Sequence, residues 1–254
     1  PRDYMPYPYR YRTAGFSYSG SIPPGVKWLL ISNIAIFLLY FLTARTAAEG
    51  IFSLLALVPR AVVTELAVWQ LVTYLFVHSP FHFGHILLNM LALWMFGSDL
   101  ERTWGTKRFL QFYFLCGIGA GLCVILGNYL YGTPDTRTIG ASGAIYGIMM
   151  AFALLFPDAT IIFILFPIRA RYFVMILGAM AFLSSLRMSG SGVSDIAHLG
   201  GLIFGFAYMK WDSRVRFDLW GSIEHRYQRW KMERAKRKFQ VYLRKRDSDD
   251  RWVQ

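Results

Sequence analysis

Apolar residues run along this chain in long blocks, separated by short polar stretches, and the blocks have the length of membrane crossings rather than of soluble helix faces. Six spans are predicted, at about Val26–Arg45, Gly84–Glu101, Lys107–Tyr131, Ala141–Phe156, Tyr172–Leu186 and Ser194–Trp211, with the fourth and fifth shorter than the rest. Between the first two, Thr46–Phe83 is apolar in its middle but broken by Pro59, Arg60 and Glu65. That pattern predicts a membrane-embedded or interfacial loop built from short helices. Ile161–Pro167 is apolar but too short to cross, with Asp158 before it and Arg169 and Arg171 after it, and is expected at the interface. No internal repeat or low-complexity segment interrupts the pattern. The fold class expected is all-α, a polytopic membrane protein of six transmembrane helices.

Composition agrees with that class. Hydrophobic residues make up 55% of the 254 positions and charged residues only 17%, where a soluble domain carries more charge. The net charge of +12 is uneven, because 14 of the 27 Lys and Arg residues fall between Lys210 and Gln254. In a soluble protein such a tail suggests nucleic acid. In a membrane protein it is first an orientation signal. Six spans place both termini on one side, and that side then holds 23 Lys and Arg against 4 on the other, so both termini are expected in the cytoplasm. Three segments follow: a cytoplasmic stretch 1–25, a six-helix domain 26–211 and a basic tail 212–254. In the tail Trp220, Ile223, Tyr227 and Trp230 recur at helical spacing, which predicts an amphipathic helix lying against anionic lipid, with no nucleic-acid role. Cys116 and Cys123 are seven apart in one apolar helix, about 10 Å and too far for a disulfide. The chain opens at Pro1 and shows no cleavable signal peptide, so the first apolar run is expected to stay as an anchor.

Polar residues inside spans are costly and mark function or cross-linking. The second, fourth and sixth spans run in the same direction, and each carries polar side chains near its outer end. The second has His85 and Asn89, four apart and on one face. The fourth opens with Ser142 in Gly140-Ala-Ser-Gly143, with Tyr146 one turn on, and the sixth has His198. Each has a plain reading. Gly140-Ala-Ser-Gly143 suits close helix packing, His198 a proton relay, and His85 with Asn89 a hydrogen-bonded cross-link. Together they make a nucleophile, a base and donors for an oxyanion at the positive end of a helix. Gly143 with Gly147, and Gly201 with Gly205, form two small-residue stripes that would let the fourth and sixth spans meet closely. Asp195 is expected to cap the start of the sixth span. His78 and His82 are expected to be interfacial or structural, and no metal-ligand spacing is present.

These segments resemble the rhomboid family of intramembrane serine proteases: His85-Ile-Leu-Leu-Asn89, Phe96-Gly-Ser-Asp-Leu-Glu101 with Gly105, Gly140-Ala-Ser-Gly-Ala-Ile-Tyr146, and Ala197-His-Leu-Gly-Gly201 with Gly205. The resemblance implies a rhomboid-like bundle in which Ser142 is the nucleophile and His198 the general base. It implies that His85, Asn89 and the Ser142 backbone N–H stabilise the oxyanion, that Tyr146 packs on the His198 ring and that Glu101 anchors polar contacts at the inner end of the second span. It implies a dyad without a cofactor or metal. Its substrates are transmembrane segments of other proteins, cut near their outer ends and admitted between the second and fifth spans. Two departures stand out: Trp69-Gln70 replaces the family's frequent Trp-Arg in the first loop, and the stretch from His78 to His85 is longer.

Two rivals remain at this level, a catalytically inactive relative that binds membrane clients and a transporter using His198 and Asp195 as a relay. Retention of both Ser142 and His198 weighs against the first, and the lack of repeat halves against the second. The simple six-span core suits a bacterial inner membrane. The loop Arg187–Val193, rich in Gly and Ser, is expected to act as a lid.

Overall fold

The computed structural model describes residues 21–44, 46, 49–131, 133–163, 166–185, 192–211, 231, 232 and 234. The chain divides into two compact units, Pro1–Met209 and Lys210–Gln254, and the fold below is that of the first. The amphipathic tail helix predicted around Trp220–Trp230 lies outside the described residues, as do residues 187–191 of the predicted lid.

Helix α1 (Pro24–Thr43) starts with proline in its first turn, where the missing N–H costs nothing. The first loop then folds into α2 (Glu49–Leu55), α3 (Pro59–Thr64), α4 (Gln70–Thr73) and a 3₁₀ turn, Tyr74–Phe76. Helix α5 (Phe83–Ala92) continues through a wide π turn, Leu93–Gly97, into α6 (Ser98–Trp104). The extra residue in that turn rotates the face that α6 presents relative to α5. After a break at Gly105 come α7 (Thr106–Leu130), α8 (Ser142–Leu155), a hairpin of β1 (Thr160–Phe163) and β2 (Phe166–Arg169), α9 (Ala170–Ser185) and α10 (Gly192–Trp211).

Three helical stretches, Pro24–Thr43, Phe83–Trp104 and Thr106–Leu130, are long and apolar enough to cross a membrane, and α8 and α9 are shorter apolar helices. The protein is a mostly helical, multi-pass membrane protein. Its outward faces are apolar, with Leu42, Leu88, Leu126, Met175 and Leu183 all exposed. That is the surface expected of a body solvated by lipid tails rather than by water.

The short helices expected in the first loop are present. The segment Ile161–Pro167, expected simply to lie at the interface, is an antiparallel hairpin in which Ile161 faces Ile168 and Ile162 faces Pro167.

The core centres on α7, which packs against α1, α3, α4, α6 and α8. Phe109, Phe112, Tyr113 and Cys116 on it are fully buried. Two polar anchors hold the periphery. The buried Glu101 carboxylate accepts from the backbone N–H of Gly25 (2.8 Å), the N–H of Val26 (2.7 Å) and the Thr106 hydroxyl (2.6 Å). A carboxylate on these free N–H groups caps α1 and satisfies its dipole. The first loop is tied to the α7–α8 connection by an Arg60–Asp135 fork (2.6 and 2.8 Å), the paired backbone bonds of Leu57 with Thr138, and Arg60 N–H to the Pro134 carbonyl. Gln70, standing where an arginine was expected, is buried. Its amide accepts from Val58 N–H and donates to the Leu54 carbonyl, which also receives the Trp69 indole N–H. The loop is thus anchored internally by an uncharged side chain.

Candidate active site

The site is assembled from the turn that precedes α8. Gly140 donates its N–H to the Tyr74 carbonyl at 2.9 Å, and Tyr74 in turn donates its hydroxyl to the Gly117 carbonyl at 2.6 Å. Gly140 has φ +116, a conformation closed to ordinary side chains. A Cβ there would also meet the His85 ring at 2.9 Å from Cε1 and Nε2. Glycine at this position therefore lets the chain turn sharply and lets His85 lie directly against the turn. Ser142 follows as the first residue of α8, at the positive end of a 14-residue helix.

His198 reaches Ser142 from α10. Its Nε2 lies 2.9 Å from Ser142 Oγ, a good hydrogen bond. The helices can be that close because their backbones touch through glycines. A Cβ on Gly201 would overlap the Gly143 carbonyl oxygen, and one on Gly205 would lie 2.9 Å from Gly147 Cα. The His198 ring is fixed from the side by Tyr146, stacked at 4.2 Å between centroids and 5° between planes. If Nε2 is to accept from the serine hydroxyl, the ring proton belongs on Nδ1. Asp195 Oδ1 lies 3.9 Å from that atom.

Asn89 is buried on α5, and its amide donates to the His85 carbonyl at 2.8 Å, one turn back on the same helix. One of its two N–H groups is therefore engaged, and the second remains for a ligand. Chemically, the arrangement offers a hydroxyl paired with an imidazole, next to backbone and side-chain donors. Such a set can attack a carbonyl and hold the resulting oxyanion.

Residues 65–214, more than half of the chain, match the Rhomboid domain family. The chain belongs to the rhomboid family. Its relatives include Rhomboid protein 1, mitochondrial, of Saccharomyces cerevisiae, 32% identical over 131 residues, which are 50% of this chain and 37% of that protein. Rhomboid protease AarA of Providencia stuartii is 31% identical over 151 residues (54% and 53% of the two chains). Rhomboid protease GlpG of Haemophilus influenzae is 29% identical over 151 residues (59% and 72%). The rhomboid chain thus spans about a third to a half of the first two proteins and nearly three quarters of the third.

In this rhomboid the structure brings Ser142, His198, Tyr146, Gly140, Gly143, Gly201, Gly205 and His85 to one place. Asn89 stands one turn from His85, and Glu101 lies apart, beneath α1. One expectation is corrected, and one left open is decided. Of the two places expected for His78, interfacial or structural, it takes the structural one: it is fully buried, its Nε2 faces Ala141 N–H at 3.5 Å, and its ring is 5.2 Å from that of His85. It backs the turn that carries Ser142. The available signal was a histidine ending the apolar run Tyr74–Val77, where a merely interfacial residue would not need to be buried. Asp195 is not a cap, because α10 already starts at Gly192. Its Oδ2 instead accepts from the Ser184 hydroxyl of α9 at 2.5 Å. Among the described residues no group of three or more His, Cys, Asp or Glu is arranged to hold a metal.

Proposed function

We propose that this rhomboid is an intramembrane serine endopeptidase that cleaves transmembrane segments of other membrane proteins near the outer membrane face. The observation that carries the reading is the 2.9 Å pairing of Ser142 Oγ with His198 Nε2, fixed by the Tyr146 stack. Its membership of a family with protease relatives supports the same chemistry.

His198 Nε2 takes the Ser142 proton as Oγ attacks the scissile carbonyl. The oxyanion is held by the Ser142 backbone N–H, the free Asn89 amide hydrogen and the His85 ring, with the α8 dipole behind them. His198 then protonates the leaving amine, and water resolves the acyl-enzyme by the same steps in reverse. The dyad requires a substrate helix that unwinds locally, which favours glycine and other weak helix formers around the cut. The charge distribution supports a six-span topology with both termini in the cytoplasm, most simply in a bacterial inner membrane, and the basic tail supports contact with anionic lipid.

A fluorophosphonate probe together with a fluorogenic transmembrane substrate in liposomes tests the reading. Covalent label on Ser142 and cleavage that vanishes in folded S142A are expected. A wild-type protein that neither takes label nor cleaves any transmembrane substrate would remove the proposal.

A further inference from the structure

Asp195 sits between two partners on two helices. One oxygen accepts from Ser184 near the end of α9, and the other faces His198 Nδ1 at 3.9 Å, just beyond hydrogen-bond reach. Asp195 and His198 stand one turn apart on α10, both largely shielded, at 16% and 19% side-chain exposure. An aspartate here is costly unless paired, so its presence wants a reason. A helix tie alone does not need a charge, because asparagine or serine would accept the same hydrogen bond.

Helix α9 is the thinly held partner in this arrangement. Only Ala170, Val174 and Ala181 are buried along its 16 residues, while Met175, Ile176, Met180, Phe182 and Leu183 face outward. A displacement of α9 would carry Ser184 away and release the carboxylate from that bond, with His198 Nδ1 within 3.9 Å across the turn. The imidazolium formed when His198 takes the serine proton is the species a carboxylate would stabilise.

We propose that Asp195 is a positioning residue for His198, held in reserve by Ser184, so that displacement of α9 hands a carboxylate oxygen to His198 Nδ1. The proton stays on Nδ1 throughout; Asp195 accepts a hydrogen bond and is not itself protonated. The dyad at rest thus becomes a charge-supported site when α9 moves. This inference rests on the protease reading above.

The test compares D195N, D195A and S184A in liposomes, each checked for thermal stability, by the rate of fluorophosphonate labelling at Ser142 and by kcat and KM for a transmembrane substrate. D195N keeps an acceptor for Ser184 but loses the charge. It is expected to label roughly tenfold more slowly, the scale of a charge pair near 4 Å in a site that water reaches, with kcat reduced and KM unchanged. S184A frees the carboxylate and is expected to label at least as fast as wild type. A purely structural tie gives the opposite pattern, with D195N like wild type and S184A as damaged as D195A, and that result overturns the inference. Should D195N not fold, D195E against D195Q poses the same question at matched length, and equal rates overturn it. Labelled wild type with an unaltered D195N rate removes this inference alone. Unlabelled, inactive wild type removes the protease reading and this inference with it.

Discussion

The seam between α8 and α10 and the contact of α9 with its neighbours are built on opposite principles. Nine of the 14 residues of α8 are buried, and its glycines meet those of α10 backbone to backbone. On α9 only three of 16 residues are buried, and Tyr172, Met175, Ile176, Met180, Phe182 and Leu183 are exposed. The seam has no slack, because moving it by the width of a methyl group would separate Ser142 from His198. Helix α9 has little to lose by moving, since lipid solvates its outward residues equally well in either place. On the proposed protease reading, a site that must hold two atoms at 2.9 Å and still admit another helix gains from this division of rigidity.

Breaking the seam's chemistry should give the largest effect. S142A and H198A are each expected to lower cleavage by roughly a millionfold, since the two residues act as a unit. A fluorogenic substrate in liposomes measures it, and fluorophosphonate label should vanish in S142A. Breaking the seam's packing comes next. G201V drives side-chain atoms into the Gly143 carbonyl and should cost at least the 1–3 kcal/mol typical of overpacking, with activity lost in parallel. On the other side of the comparison, L183A on the exposed face of α9 should shift stability by no more than about 0.5 kcal/mol. Thermal unfolding in detergent compares the two directly, and equal losses would erase the contrast between the seam and α9.

Graded damage is expected at the proposed oxyanion donors. H85A and N89A should each slow cleavage by about a hundred- to a thousandfold, with Ser142 still able to take label. The smallest effect concerns the fork of Arg60 with Asp135, outside the seam. Arg60 holds the exposed Asp135 carboxyl below its usual range. Its contribution is therefore present at neutral pH, down to the ordinary carboxylate value, and fades as pH falls through the lowered one. Both groups are exposed and salt-screened. Hydrogen exchange at Leu57 and Thr138 should rise slightly in D135N, or in wild type under acid or high salt, with cleavage unchanged at pH 7.

Much of this was legible in the sequence. The third span, expected at Lys107–Tyr131, is the helix Thr106–Leu130, and the segment expected at Ala141–Phe156 is the shorter apolar helix Ser142–Leu155. Long apolar runs bounded by charge leave few alternatives in a membrane. The glycine stripes likewise announced where two backbones approach. What escaped depends on non-local or locally disfavoured choices. The hairpin after α8 contains Pro167, which cannot donate to the ladder and argues against a strand. The burial of His78 depends on the turn before α8, more than 60 residues away, and the pairing of Asp195 on a hydroxyl in α9. Neither partner is announced by spacing.

The capping of α1 by Glu101 also sets a schedule. The two N–H groups at the start of the first helix wait for a carboxylate that lies 76 and 75 residues further along the chain. At about 5–20 residues per second of synthesis, that is an interval of roughly 4–15 s. During it the end of α1 is satisfied only by water at the membrane surface. The first helix can be inserted early, but its N-terminal end is finished only when the second hydrophobic stretch has arrived, so its placement is decided by a pair of segments rather than by the first alone.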